Sequence, residues 1–323
     1  MRSILALVAT VAVLPAAAQE SKPWLESQGL EAASWKSFQD FEAVVARVKG
    51  AKDPVEAQER IVLFKQGKPV LQTTQKDGIE PASRLTLHSI GRDLDGDGQP
   101  DMHFSAYSGG AHCCTTNFVY RIKPAVKRHA VYAAQNMGAT DFIDVPGRKT
   151  PVMVSADDTS AYVFAPYSNS YFPVVILEVS AKGRFQFAQD LMRGKLPGEP
   201  PPVCAQAAAT ANPWLKDRCG EFTSAKRKAR TQEIQAKLRE IKGQRSADKL
   251  KWDDYMATGV LVAVAAEMNR YAYTGFGAAG ANWLETVWPG NDAIKVQFVE
   301  KLRETRVKSA FAEDLRVLST DTR

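Results

Sequence analysis

The spacing of apolar residues changes along the chain, and this change limits the folds open to it. Between about residue 60 and residue 192, short apolar or alternating runs are separated by turn residues such as Asp77-Gly78, which is typical of strands. After residue 220, apolar residues such as Ile234, Leu238 and Ile241 recur at helical spacing. The pattern predicts an α+β protein, with a β-rich domain (a sandwich or a partial, propeller-like stack of hairpins) before an all-α helical domain.

A proline-rich stretch separates the two patterns. It contains Pro197 and the run Pro200-Pro201-Pro202, a composition typical of domain junctions. We therefore predict a β-rich domain over 19–195, a junction over 196–219 and a helical domain over 220–323.

Two local predictions depend on periodicity alone. Glu31 to Lys49 is predicted as a helix because Trp35 and Phe38, and later Val45 and Val48, lie three residues apart. Ala161 to Ala165 is predicted as a strand because it is a short apolar run of the kind that strands show.

The first 18 residues have the features of an export signal. Arg2 precedes an apolar run from Ile4 to Leu14, and Pro15 precedes three alanines that suit a signal peptidase cleaving before Gln19. The alternative is an uncleaved N-terminal anchor. No other apolar run approaches the ~20 residues that span a bilayer. We expect a periplasmic or secreted protein without a membrane span, a location that also disfavours nucleic acid as a partner.

An oxidising location makes disulfides the expected state of the four cysteines. We favour a bond between Cys204 and Cys219, which would leave Cys113 and Cys114 to each other or to nothing. The alternative pairs both of these neighbours with Cys204 and Cys219.

Four aspartates and a glutamine form the strongest local motif, Asp93, Asp95, Asp97, Gln99 and Asp101. If the chain curls, the carboxylates come within a few ångströms of one another and repel, unless a cation binds. Calcium takes six to eight oxygen ligands, which the four carboxylates and the Gln99 carbonyl would supply. The glycines at 96 and 98 permit a tight wrap.

This loop resembles the calcium-binding loop of FG-GAP and VCBS-type repeats, although the chain contains a single intact copy. The resemblance implies a structural calcium ion held by the aspartates and implies no catalysis. An EF-hand is a poorer match, because its twelfth position is Phe104 here instead of glutamate.

The segment that follows, from Tyr107 to Thr116, contains the run Ser-Gly-Gly-Ala-His-Cys-Cys. It resembles a segment of uncharacterised exported bacterial proteins, a resemblance that implies no activity. The simplest interpretation is a tight turn with oxidised cysteines. Alternatively, His112, Cys113 and Cys114 bind copper or zinc, with help from Met102 and His103, or act in redox or nucleophilic chemistry.

Two further surfaces are candidates for binding. Residues 226–251 contain ten basic and three acidic residues, an excess of seven positive charges in a chain whose net charge is +6. This stretch is either a solvated helix that packs by its apolar side or a site for anionic polymers, lipid headgroups or acidic proteins.

The aromatic connection from Tyr271 to Trp288 is either buried in the helical domain or exposed to stack on sugars or a partner.

These features favour a binding module over an enzyme, since no linear catalytic motif is present. We expect an exported, calcium-stabilised binding or structural module that engages an envelope protein or an anionic envelope polymer. The alternatives are an envelope hydrolase or metal-dependent enzyme that uses the Asp101 to Cys114 region, and a copper- or redox-handling protein that uses His112, Cys113 and Cys114.

Overall fold

The structure is a computed structural model, which describes residues 21–110, 113–137, 141–206, 213–220, 222–244, 249–290 and 292–320. The chain divides into two compact units, one formed by Met1–Gly91 with Met102–Gly109 and the other by Arg92–Asp101 with Gly110–Arg323. The predicted signal peptide, residues 1–18, lies outside the described residues.

The strands all precede residue 190. In chain order they are β1 (Leu30–Phe38), β2 (Phe41–Val48), β3 (Arg60–Lys65), β4 (Lys68–Gln72), β5 (Arg84–Arg92), β6 (Asp101–Gly110), β7 (Cys113–Arg121), β8 (Lys127–Gln135), β9 (Phe142–Ile143), β10 (Val152–Ala156), β11 (Val174–Val179) and β12 (Phe185–Phe187).

Most of the helices follow the strands. In chain order they are α1 (Lys22–Ser27), α2 (Pro54–Ala57), α3 (Gln189–Met192), α4 (Pro213–Gly220), α5 (Ser224–Gln244), α6 (Trp252–Ala257), α7 (Val260–Ala272), α8 (Gly277–Val287), α9 (Ala293–Lys308) and α10 (Ala312–Thr320). The α+β class and the order of the β-rich and helical regions are therefore confirmed.

The first unit contains an antiparallel sheet in the order β1-β2-β3-β4, and the helix predicted over Glu31 to Lys49 is wrong. Strands β1 and β2 occupy that stretch as a hairpin, with Phe38 paired to Phe41 across a two-residue turn in which Gln39 has a φ of 54°. Strand β2 also pairs along its length with β3, and its residues from Phe41 to Ala46 are all buried. Pairing with a distant strand decided the structure here, and helical spacing in the sequence carries no information about it.

One face of this sheet is covered by α1. Leu25 of α1 lies in a buried cluster with Val44 and Phe64, and the Trp24 ring meets the Phe64 ring edge-on at 5.4 Å. Strands β5 and β6 are hydrogen-bonded neighbours in the same unit. The first unit thus buries apolar residues from α1 and from the three strands β1, β2 and β3 in a core of its own.

The second unit contains the antiparallel pair β7 and β8 and a four-stranded sheet in the order β12-β11-β10-β9. The strand predicted over Ala161 to Ala165 is wrong, because successive turns occupy this stretch. The Asp157 carboxylate accepts a hydrogen bond from the Thr159 backbone N–H at 3.0 Å, and Tyr162 has a φ of 62°. The hydrogen bond to the Asp157 side chain and the left-handed backbone of Tyr162 therefore override the apolar pattern that predicted a strand.

The strands and the last helix of the second unit share one core. We call residues 93–101 the acidic loop. Its Leu94 and Phe187 of β12 belong to one buried cluster with residues from the C-terminal end of the chain, Phe311, Leu315 and Leu318. Residues 195 and 219, the predicted domain boundaries, fall within this unit. The boundaries themselves stay a prediction.

The predicted Cys204–Cys219 disulfide is present and borders the same core. It lies between the short helical turn at Pro202–Gln206 and α4. Cys114 is also disulfide-bonded, whereas the side chain of Cys113 lies outside the described part of the structure.

A second cluster is formed mainly by helices, as predicted. Ile234, Leu238 and Ile241 of α5 pack with Phe298 and Leu302 of α9. In the described part of the chain, no helix is long and apolar enough to cross a membrane.

Candidate metal centre

Three of the predicted ligands converge in the loop between β5 and β6. Asp93, Asp95 and Asp101 each offer a carboxylate oxygen, and these oxygens lie within 4.8 Å of one another. All three belong to the second unit. The spacing in the sequence therefore corresponds to a real convergence of three carboxylates, a group that does not include Asp97.

The loop is folded by hydrogen bonds from its own backbone. Asp93 accepts from the backbone N–H groups of Gly96 at 2.8 Å and Gly98 at 2.9 Å, and Asp95 accepts from that of Asp97 at 3.1 Å. Gly96 has a φ of 80°, and a Cβ built on it would lie 2.8 Å from the Thr150 side chain. Gly96 is therefore needed for both its backbone angle and its lack of a side chain.

An apolar residue anchors the loop from within. Leu94 is fully buried in the core of the second unit, and its backbone N–H donates to Asp101 Oδ2 at 2.9 Å. Asp101 is itself fully buried, and its second oxygen, Oδ1, has no hydrogen-bond partner among the described residues. A buried carboxylate oxygen in that state is costly unless a cation or a proton meets it.

Two basic side chains from the neighbouring hairpin meet the loop. The Arg121 guanidinium, at the end of β7, bonds Asp95 and also lies 2.9 Å from Asp97 Oδ2. His129 Nε2, on β8, lies 2.8 Å from Asp95 Oδ2 and 3.2 Å from the Ser180 carbonyl oxygen. Asp97 is therefore drawn to Arg121 and stands outside the group of three convergent carboxylates.

Burial and charge act differently on two of these acids. Burial, together with the neighbouring charges of Asp95, Asp97 and Asp93, raises the pKa of Asp101 to about 7, against the effect of its bond from Leu94. For Asp95, burial also acts to raise the pKa, but the bonds from Arg121 and from the Asp97 backbone outweigh it and the pKa is lowered. The negative charge of Asp95 is offset by Arg121, whereas the charges that act on Asp101 are those of the neighbouring aspartates.

The donor set fits a hard divalent cation. Four aspartates bring four negative charges to the loop when ionised, and the Arg121 guanidinium offsets only one of them. Oxygen ligands from carboxylates are those that calcium prefers, and Asp93, Asp95 and Asp101 would hold it. Gln99 is exposed and its backbone N–H donates to Asp97 Oδ1 at 2.8 Å. The binding of a calcium ion by these residues stays a prediction.

Arg121, His129 and Leu94 are the parts of this site that the sequence analysis missed. Arg121 and His129 lie far along the chain and reach the loop only because β7 and β8 pair as a hairpin. Leu94 had a usable signal, since an apolar residue between two aspartates of a polar loop indicates that one side of the loop is buried.

The alternatives of catalysis or soft-metal binding in the segment after the loop stay predictions. His112 lies outside the described residues, and the bonded state of Cys114 leaves it no free thiol. His103 is buried in the first unit with its ring stacked on that of His88 at 4.4 Å between centroids.

The basic stretch forms α5 and the connection into α6, and several of its charges are used internally. Arg230 donates to Glu267 at 3.1 Å, Lys237 lies 2.9 Å from Glu233, and Lys242 lies 3.2 Å from Asp292. Arg227 donates to the Pro197 carbonyl oxygen at 3.2 Å. Exposed basic residues of α5 include Lys226, Lys228 and Arg239.

The aromatic connection is largely buried, which favours its structural interpretation. Tyr271 and Tyr273 are buried, and Trp288 is completely so, stacked on Tyr255 at 5.4 Å. The Tyr273 hydroxyl donates to the buried carboxylate of Asp157 at 2.5 Å. Trp288 lies in the helical cluster, whereas Tyr273 packs in the core that contains the strands and Phe311.

Comparison of the chain with protein families, with curated proteins and with solved structures returned no match.

Proposed function

We propose that this protein is an exported binding module in which a calcium ion, held by the acidic loop, stabilises the second unit. In this proposal Asp93, Asp95 and Asp101 hold the ion, while Arg121 compensates the outer carboxylates. Because a metal that binds only the folded state adds its binding free energy to stability, the ion serves as a structural element. No reaction is assigned to it.

One observation carries the proposal. Asp101 is completely buried, its Oδ1 has no hydrogen-bond partner among the described residues, and it converges with Asp93 and Asp95. A solvated acidic turn would expose its carboxylates to water. Here the carboxylate with the least access to water is the one that lacks a partner, as expected for an inward-facing metal ligand.

Export is supported by the chemistry of the cysteines. The Cys204–Cys219 disulfide is a feature of proteins that fold in oxidising compartments. Together with the N-terminal signal in the sequence, it favours a periplasmic or secreted location.

We place partner binding on the exposed side of α5. Lys226, Lys228 and Arg239 are exposed there, whereas Arg230 is committed to the buried carboxylate of Glu267. An exposed basic surface attracts anionic chains with a strength that falls as salt rises. The proposed partner is an anionic envelope polymer or an acidic protein surface.

The calcium proposal is tested by titration calorimetry and thermal melting of the chain that begins at Gln19. Calcium chloride should release or absorb heat with one site per chain and raise the melting temperature, and EDTA should reverse the rise. Magnesium chloride should do less, since magnesium demands a smaller octahedron. Absence of both heat and stabilisation would refute the site.

Two variants make this test specific. Asp101→Asn should abolish or strongly weaken the calcium response. Asp253→Asn is the matched control, because Asp253 is an exposed aspartate on a helix of the same unit. Equal calcium responses in both variants would exclude Asp101 as a ligand.

The partner proposal is tested separately with polyglutamate as the anionic probe. The double variant Lys228→Gln/Arg239→Gln should bind it more weakly than wild type at low salt. Lys182→Gln/Lys308→Gln removes the same charge from exposed positions elsewhere and should bind as wild type. Equal loss in both variants would indicate a non-specific effect of net charge and refute a site on α5.

A further inference from the structure

A second candidate binding surface lies in the loop between β10 and β11. We call residues 157–173 the tyrosine loop. Its sequence, Asp-Asp-Thr-Ser-Ala-Tyr-Val-Phe-Ala-Pro-Tyr-Ser-Asn-Ser-Tyr-Phe-Pro, has no basic residue and four aromatic residues besides Phe164. The calcium proposal makes no use of this loop.

Tyr162 is held in an unusual backbone state. Of the five non-glycine residues with positive φ in the described part of the chain, four are glutamines and the other is Tyr162, at 62°. A bulky residue rarely adopts this region, and strain of this kind is concentrated at functional sites. Burial does not explain the choice of tyrosine here, because Tyr162 is 60% exposed.

Aromatic rings continue from Tyr162 along the surface. The Tyr162 and Tyr167 rings are 5.4 Å apart between centroids, and those of Tyr167 and Phe172 are 5.5 Å apart. Tyr167 and Phe172 are half-buried, so the outermost ring is the one with the most free surface. The three rings form a chain of apolar faces that ends in solvent.

The loop holds these rings by its own hydrogen bonds. The Tyr162 N–H donates to Ser170 Oγ at 3.2 Å, and Ser170 Oγ donates to the Ala165 carbonyl oxygen at 3.3 Å. Ser160 Oγ donates to the Tyr171 carbonyl oxygen at 2.9 Å, and the Tyr171 ring packs against the Arg270 guanidinium at 4.9 Å. Less conformational freedom remains to be lost when a ligand binds to a loop that is fixed in this way.

The chemistry around the rings points to a neutral, hydroxyl-rich ligand. Exposed Ser168 and Asn169 supply hydroxyl and amide groups beside Tyr167. Of the two acids in the loop, Asp157 is engaged by the Tyr273 and Ser309 hydroxyls and Asp158 accepts from Asn136 at 3.2 Å. The loop itself has no basic residue, and the Arg270 guanidinium beside Tyr171 is buried and bonded to Glu267 at 2.8 Å, so the loop offers an anionic ligand no exposed cation.

We infer that the tyrosine loop binds neutral glycan chains, with the Tyr162 ring stacked on the C–H face of a sugar ring. The negative face of an aromatic ring attracts polarised C–H groups, and the sugar hydroxyls would meet Ser168 and Asn169. This inference goes beyond the proposed function. Its failure would leave the calcium site and the α5 surface untouched.

The test uses the chain from Gln19 with calcium present and three neutral probes: chitotriose, cellotriose and maltotriose. Perturbation of tyrosine resonances by NMR should show binding of at least one probe at millimolar concentration. Tyr162→Phe should retain binding, because the stacking face remains. Tyr162→Ala should weaken it about tenfold or more, the order of effect found for hot-spot aromatics.

A second variant separates loss of the ring from loss of the fold. Tyr162→Gly removes the ring and also relieves the backbone strain, since glycine accepts a positive φ. It should melt no lower than wild type and fail to bind the probe. Tyr107→Ala, which truncates an exposed tyrosine of the first unit, should bind as wild type.

Any of three outcomes would overturn the inference. The first is the absence of perturbation by all three probes. The second is binding by Tyr162→Gly that equals that of the wild type, which would place the ligand elsewhere. Preference for an acidic glycan over the neutral probes, with no change in Tyr162→Ala, would also reject the tyrosine loop in favour of the basic helix.

Discussion

The acidic loop and the basic helix α5 carry opposite charges, and the fold places these charges in opposite environments. In the loop, Asp95 and Asp101 are buried and face other carboxylates. In α5, apolar residues such as Ile234 are buried, and the basic residues are exposed or paired with acids. The sequence shows the sign and the number of the charges in each stretch but not whether they are buried. In our proposal, this difference in burial makes the loop a specific ion site and the helix a general electrostatic surface.

The largest effect is expected from removing the arginine that offsets part of the loop's negative charge. Arg121→Gln removes the positive charge that pairs with the fully buried side chain of Asp95. In EDTA it should lower the free energy of unfolding by about 3 kcal/mol, as expected when one member of a buried pair is lost. Urea unfolding measures this value, and added calcium should recover part of it.

Arg239→Gln is the control for that loss, since Arg239 lies exposed on α5. It should unfold at the same urea concentration as wild type. If Arg121→Gln behaved in the same way, the loop would have to be regarded as a solvated surface.

A smaller effect is expected from pH in the metal-free protein. The pKa of Asp101 is about 7 in the folded chain and near 3.8 when unfolded, so its contribution to stability is fully present below 3.8 and is lost as pH rises through 7. The full pKa difference corresponds to about 4 kcal/mol, and screening by solvent at the exposed side of the loop reduces the expected fall in the free energy of unfolding in EDTA to about 2 kcal/mol.

Two comparisons isolate that pH effect from other titrating groups. Saturating calcium should remove most of the decline, because the ion favours the ionised carboxylate. Asp101→Asn should remove it as well. A decline that persists unchanged in Asp101→Asn would assign the pH dependence to other residues.

The Asp101→Asn change itself should have a smaller effect on stability, and in EDTA it should stabilise the protein. An asparagine oxygen can still accept from the Leu94 N–H, while one buried negative charge disappears. In EDTA, thermal melting should show the variant to be more stable than wild type by about 1 kcal/mol. In calcium the order should reverse, and the same order in both buffers would contradict the site.

The smallest expected effect belongs to the helix. Lys228→Gln/Arg239→Gln should change the free energy of unfolding by less than about 0.5 kcal/mol, because exposed charges contribute little to stability. Urea unfolding in low and in high salt measures it. A loss of several times this size would mean that these side chains are part of the packed structure.

Local features of the sequence predicted much of this molecule. The helical spacing of Ile234, Leu238 and Ile241 identified the buried side of α5, and the short separation of Cys204 and Cys219 identified a disulfide. The spacing of the aspartates in the loop predicted that all four carboxylates and the Gln99 carbonyl converge, and those of Asp93, Asp95 and Asp101 do so. Each of these features is decided by residues a few positions apart.

Features that depend on distant pairing were missed. The hairpin of β1 and β2 was predicted as a helix, and its pairing with β3 decided otherwise. Arg121 reaches the loop from β7, and nothing near Asp95 in the sequence indicates an arginine 26 residues away. Sheet register is set by the whole unit, so single-sequence patterns could not supply it.

The position of α10 in the core has a consequence for how the chain becomes folded. Leu94 and Phe187 are buried together with Phe311 and Leu318, so the second unit cannot complete its interior until its C-terminal helix has arrived. Bringing such distant residues into contact costs loop-closure entropy, and this makes folding slow. The second unit of a nascent chain therefore cannot complete its core until the residues from Phe311 to Leu318 have been synthesised.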